Sequence, residues 1–353
     1  MTTRNLSPQQ MFIDLVKEHR PECQFSGKDQ SDFSDWKRST LPKVLATLGE
    51  SPAAAVDANP EMIAEWEDKG LVKQRWIIDV QKHLSATLLV NLPTSLKKTE
   101  KRPAVLCCHG HGAYGKEPVM GNDSSPDLRQ AIANNNYNYG EVMAQKGFIT
   151  YAIDWIGFGE RNDRNKPNHN SVAGGRDWCN LYYLHATMLG MTSLSINVAH
   201  GKSATDVVIS TQPVDEERLG VMGLSGGGTM ALWMALCDDR IKATEIICYS
   251  DLWAAFGIRD VNYCGMQVAP SLFKYVDLPD LQGLIAPRPL LIDIGANDTC
   301  FKVDTAMKCY QQLSKIYEAA DASDQLELDL YPGEHGWGGN KSETFFRKHL
   351  GSD

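Results

Sequence analysis

From Arg102 onward, short unbroken apolar runs alternate with stretches of helical period, and this alternation restricts the possible folds more than any other feature. The runs are "RPAVLCCHGHG" (102–112), "FITYAIDWIGFG" (148–159), "RLGVMG" (218–223), "ATEIICYS" (243–250) and "RPLLIDIGAND" (288–298), and "LELDLYPGEHG" (326–336) reads as a last strand and turn. A strand with one wet face alternates apolar and polar residues, whereas a run apolar throughout belongs to a strand covered on both faces. Between the runs, "NYGEVMAQKG" (138–147), "GGTMALWMALC" (227–237), "VDTAMKCYQQLSKIYEAA" (303–320) and "SETFFRKHL" (342–350) read as helices. The predicted fold class is α/β, a mostly parallel central sheet with helices on both faces. In such sheets ligands bind at the carboxyl ends of the strands, which is where the glycine-rich exits fall.

The chain ahead of this pattern reads differently. Residues 1–70 are expected to form a helical extension packed on the larger unit, 71–353, with Met11, Phe12, Leu15 and Val16 on one helix face. "QRWIIDV" (74–80) and "SATLLVNLP" (85–93) read as an antiparallel strand pair at the sheet edge. A long helical stretch is expected from Trp178 to Ser210, interrupted at Gly190 and Gly201.

A net charge of −9 argues against nucleic acid or an anionic membrane surface as partner. No run has the length or flanks of a signal peptide or membrane span, so a cytoplasmic protein is expected. Nine scattered cysteines, most inside apolar runs, read as reduced core thiols. The adjacent Cys107 and Cys108 should point to opposite faces of one strand. A homo-oligomer is left open by the sequence.

One turn carries four glycines around a serine: Gly223, Gly226, Gly227 and Gly228 around Ser225, in "GLSGGG". Glycine inside an element costs roughly 0.5–1 kcal/mol against alanine, so this density needs a reason. The segment fits G-x-S-x-G with an apolar run before it and a helix after it, the setting of a nucleophile elbow. A phosphate cradle is a poor fit, because neither G-x-G-x-x-G nor GK[ST] occurs.

A serine hydroxyl needs a positioned base, and a carboxylate to orient that base. Only His335 and His349 follow Ser225 in the chain; His335, in a turn after the last strand, is the expected base. The expected acid is Asp298, just past the preceding strand, with Asp251 as its main competitor and Asp293 as a structural residue of that strand. The backbone N–H groups of Gly226 and His111 are the expected oxyanion donors. His109 and His111 form an H-x-H pair, yet no further His/Asp cluster in the sequence completes a metal site, so neither a metal nor another cofactor is expected.

These segments together resemble the α/β-hydrolases of the dienelactone hydrolase and acetyl xylan esterase-like group. The likeness rests on "CCHGHG", "DWIGFGER", "RLGVMGLSGGG", "APRPLLIDIGANDTCF" and "GEHGW", in that group's order, over about residues 75 to 350. It implies ester hydrolysis through an acyl-enzyme, with Ser225, Asp298 and His335 as triad. Dienelactone hydrolases proper use cysteine where Ser225 stands here.

The reading from sequence is thus a serine esterase acting on a small-molecule ester with a short, acetyl-type acyl group, carried by an alcohol such as a sugar. The segment 157–180 reads as an active-site loop, with Arg161, Trp155 and Trp337 as candidate substrate-binding residues and Arg164 and Arg176 as further cations. Two rivals are a prolyl-oligopeptidase-type peptidase and a hydrolase-fold binding protein. The first lacks blade-like repeats ahead of the catalytic part, and the second has no need of a base behind the serine.

Overall fold

The computed structural model describes residues 4–50, 56–97, 100–163 and 177–351. Nine strands form one sheet: β1 Glu61–Asp68, β2 Leu71–Gln81, β3 Leu84–Pro93, β4 Arg102–Cys108, β5 Ile149–Ile153, β6 Val214–Leu224, β7 Ile241–Ile247, β8 Leu290–Gly295 and β9 Leu326–Tyr331. Their spatial order is β1-β2-β3-β5-β4-β6-β7-β8-β9. The pairs β1–β2, β2–β3 and β3–β5 are antiparallel, and every pair from β5–β4 to β8–β9 is parallel. This is the mostly parallel α/β sheet expected from the apolar runs, and the α/β-hydrolase fold that the resemblance implies.

The central parallel strands are covered on both faces. β5 and β8 are buried at every residue, as continuous apolar runs require. Successive residues of β4 serve two separate cores. Ala104, Leu106 and Cys108 pack into one, Val105 and Cys107 into the other, so the adjacent cysteines do face opposite ways. All nine cysteines are free thiols. Among the described residues, no helix is long and apolar enough to cross a membrane.

Two local expectations are corrected. Among the described residues the extension is helical only over Pro8–Glu18 and Gln30–Ala46; Glu61–Asp68 is the edge strand β1, so β2 and β3 are not the sheet's margin. β1 is exposed along nearly its whole length, and a strand that buries no face leaves no apolar alternation to read. Second, Gly201 does not interrupt its helix, Ser193–Thr211. A β-carbon there would stand 2.7 Å from Met234 Sδ, so glycine lets this helix lie against the helix Gly226–Cys237. The expected break does come near Gly190, whose φ of 79° ends the helix Trp178–Met188. Of the expected loop 157–180, residues 164–176, with Arg164 and Arg176, lie outside the described residues.

Candidate active site

Ser225 sits where β6 passes into the helix Gly226–Cys237, at φ 59° and ψ −120°, a backbone region costly for any residue with a side chain. The turn persists because its surroundings fix it. Ser225 N donates to Ile247 O at 2.8 Å, and Thr229 N donates back to Ser225 O at 3.1 Å. The glycine density has a steric cause. A β-carbon on Gly223 would overlap the Gly227 carbonyl, and one on Gly227 would overlap the Cys108 carbonyl. Glycine at both positions brings helix, β6 and β4 together beneath the serine.

Asp298 and His335 arrive from the ends of β8 and β9. His335 Nδ1 and Asp298 Oδ2 are 2.7 Å apart. The other carboxylate oxygen, Oδ1, accepts the N–H groups of Cys300 at 2.7 Å and Phe301 at 3.0 Å. Burial raises the Asp298 carboxyl, but the His335 ring and these two amides outweigh it and hold the group below its ordinary value. The Phe301 ring stacks on the imidazole at 5.8 Å with 15° between planes. The two rival acids are engaged elsewhere: Asp251 accepts Leu252 N at 2.6 Å, and Asp293 accepts Gly338 N at 3.0 Å.

Ser225 and His335 line one cavity of about 260 Å³, together with Gly110, His111, Tyr114, Tyr137 and Asn134 among others. A β-carbon on Gly226 would stand 3.4 Å from the backbone nitrogen of His111, so residue 226 lies directly beside the turn after β4. That turn is pinned by Tyr137, whose hydroxyl accepts Gly110 N at 2.5 Å.

The three candidate substrate-binding side chains do not line this cavity. Trp155 is fully buried, and its backbone N–H donates to His109 Nε2 at 3.0 Å. Arg161 braces the exit of β5: Nη1 donates to Asp154 O at 2.8 Å, and Nη2 meets His200 Nδ1 at 2.9 Å. Burial pushes its guanidinium down to about 10. Trp337 is 6 % exposed, and its indole N–H reaches Ser342 Oγ at 2.9 Å and Glu245 Oε1 at 3.3 Å. All three were selected for apolar area or charge beside a motif, and here those same properties serve packing.

Trp337 instead helps anchor the loop that carries His335. On one side, Asn135 Nδ2 donates to His335 O at 2.5 Å, Trp337 N donates to Asn135 O at 2.9 Å, and Asn136 Nδ2 donates to Trp337 O at 2.9 Å. On the other, three buried carboxylates on adjacent strands take up the loop's donors. Glu245 on β7 accepts Trp337 and Ser342, Asp293 on β8 accepts Gly338, and Asp329 on β9 accepts Asn340 N at 3.0 Å. The sequence reading missed these residues. The "NNN" at 134–136 was the one visible signal, since three consecutive amides have many hydrogen bonds to place.

Glu245 makes this anchor pH-dependent. Burial, more than its hydroxyl and indole donors offset, pushes the carboxyl up to about 8, and Oε2 has no partner among the described residues. Between an unfolded value of about 4.3 and the folded one, the folded chain holds a proton that the unfolded chain has released. Stability is therefore lost as pH rises through that window. Glu245→Gln removes the ionisation and should match the parent at about pH 4, while exceeding it at pH 8 by on the order of a few kcal/mol. Denaturant melts at both pH values check this, and parallel curves for the two proteins would refute it.

The model of the Abhydrolase family matches residues 2–333 of the chain. A protein of Bacillus subtilis (strain 168) named "Putative hydrolase YtaP" is 27% identical over 294 residues, covering 82% of this chain and 89% of its own. Among solved structures, BF1801 from Bacteroides fragilis NCTC 9343, described as a "putative acetyl xylan esterase", superposes with a TM-score of 0.72 at 18% identity, over 93% of this chain and 83% of that one. A CE15 glucuronoyl esterase from Teredinibacter turnerae T7901 gives 0.63 at 17% identity, over 94% and 89%. At such identities these two likenesses concern the fold.

Proposed function

This chain belongs to the Abhydrolase family, and we propose that it is a serine carboxylesterase cleaving small-acyl, acetyl-type esters through an acyl-enzyme. The observation that carries this reading is the 2.7 Å contact between His335 and Asp298 at the cavity that also holds the strained Ser225. In the proposed cycle Ser225 Oγ attacks the ester carbonyl while His335 Nε2 takes its proton. Asp298 holds Nδ1–H and so leaves Nε2 as the free base. The carbonyl oxygen, now an anion, is met by the N–H groups of Gly226 and His111. His335 then protonates the departing alcohol, and a water it activates releases the acid from Ser225. No step calls for a cofactor.

The preference for a short acyl group follows from size. Pockets for drug-sized ligands run to roughly 300–1,000 Å³, and this cavity is smaller than that range. Esters described for the structural relatives, of xylan acetyl and glucuronoyl type, supply the first sugar substrates to try. Hydrolysis of p-nitrophenyl esters of increasing acyl length tests the reading. The acetate should have the highest kcat/KM, and the octanoate should fall well below it. A preference for the long chain would overturn the short-acyl assignment. Turnover of an aminoacyl anilide with no ester turnover would favour a peptidase instead.

A further inference from the structure

Beside the cavity, three side chains from separate parts of the chain converge: His111 from the turn after β4, Cys179 from the helix Trp178–Met188, and Cys264 at the head of the turn Gly265–Gln267. Their ligating atoms all lie within 4.8 Å of one another. Cys179 Sγ is 3.6 Å from His111 Nε2. Two ligands on a tetrahedral zinc, at about 2.3 Å for sulfur and about 2.1 Å for nitrogen, are separated by about 3.6 Å. We propose that His111, Cys179 and Cys264 form a binding site for a thiophilic divalent cation of the zinc type, separate from the side chains of Ser225, Asp298 and His335.

The scaffold around these three is rigid in the way a metal site needs. Gly265 N donates to Asn180 Oδ1 at 2.7 Å, tying the Cys264 turn to the helix of Cys179. Cys264 N donates to Gln267 Oε1 at 3.0 Å, and Gln267 Nε2 donates to Thr229 Oγ1 at 3.2 Å on the helix after Ser225. Gly157, at φ 91°, lets the exit of β5 pass the Cys179 backbone, where a β-carbon would stand 2.7 Å from Cys179 N. The His111 ring rests edge-on against Phe158 at 5.1 Å. Cys179 and Cys264 are both buried, while His111 lies at the exposed rim. Three protein ligands leave the fourth tetrahedral position to water. The bound ion would join the turn bearing the His111 amide to the helix Trp178–Met188 and the turn Gly265–Gln267. A disulfide between Cys179 and Cys264 is the competing fate of the same sulfurs, but it assigns nothing to the imidazole.

The site escaped the sequence reading because its ligands lie far apart in the chain and show no C-x-x-C spacing. The test is titration of the intact, reduced chain with Co²⁺ as a spectroscopic stand-in, followed by displacement with Zn²⁺. One equivalent should give thiolate-to-cobalt charge-transfer absorption in the near ultraviolet, which zinc then removes. Cys179→Ser with Cys264→Ser should abolish the band. His111→Ala should weaken binding by at least the roughly 10- to 100-fold that lost outer-shell partners cost. No band in the parent chain overturns the proposal without needing any variant to fold. So does a band that survives the double substitution, or a parent chain two hydrogens light in non-reducing mass spectrometry. The readout is metal binding, so its result is independent of whether the chain hydrolyses esters.

Discussion

Ser225→Ala should lower kcat by about 10⁴- to 10⁶-fold with KM little changed, because it removes the attacking atom and leaves the cavity intact. The residual rate should remain above the uncatalysed one, since the two amides and the cavity still bind the transition state. A second measurement separates chemistry from strain. Ser225 is held at φ 59°, and alanine inherits the same steric cost whereas glycine does not. Ser225→Gly should therefore be as inactive as Ser225→Ala, yet more stable than it by on the order of 1 kcal/mol. Activity on p-nitrophenyl acetate and urea melts of both variants check the pair. A Ser225→Ala protein with more than a hundredth of the parent turnover would remove Ser225 from the role of nucleophile.

The sheet was legible because burial on both faces writes itself as apolar runs, and β4, β5, β8 and the second half of β6 are such runs. β1 carried no such mark, since almost nothing on it is buried. Ser225, Asp298 and His335 were legible for a different reason: their order in the chain and their place at strand ends are consequences of topology. Asp298 is preferred to Asp251 because order and end-of-strand placement agree for it, and the hydrogen bond to His335 involves Asp298. What surrounds these residues was not legible. Whether a tryptophan lines a cleft or fills a core depends on which neighbours fold over it, and local sequence records the side chain's size alone. Trp155 and Trp337 went to the core for that reason. The reverse error hid Glu245, Asp293 and Asp329, which sit within apolar strands as isolated acids. Their meaning appears only when β7, β8 and β9 lie side by side under the His335 loop.

Asp298→Asn should cost about 10⁴-fold in kcat, the size of effect that the wrong imidazole tautomer produces elsewhere. The local hydrogen bonds explain why the smallest possible change does so much. Oδ1 of Asp298 accepts two backbone N–H groups, from Cys300 and Phe301. In the asparagine variant the amide oxygen must stay there, because an NH₂ group facing two donors would leave three hydrogens with no acceptor. The NH₂ then occupies the position of Oδ2 and donates to His335 Nδ1. The ring proton moves to Nε2, and Ser225 faces a donor where it needs a base. Stability should report the same contact with its own pH signature. The Asp298 carboxyl lies below its ordinary value, burial being outweighed by His335 and the two amides, so its contribution is present above about pH 4 and is lost as pH falls through the folded value. The stability gap between parent and Asp298→Asn should therefore be open at pH 7 and narrow on acidification below pH 4, as followed by circular dichroism melts. Should the variant keep a tenth or more of the parent activity, Asp298 is not the orienting acid. Asp251, whose carboxyl burial pushes up to about 6, would then be the next to replace.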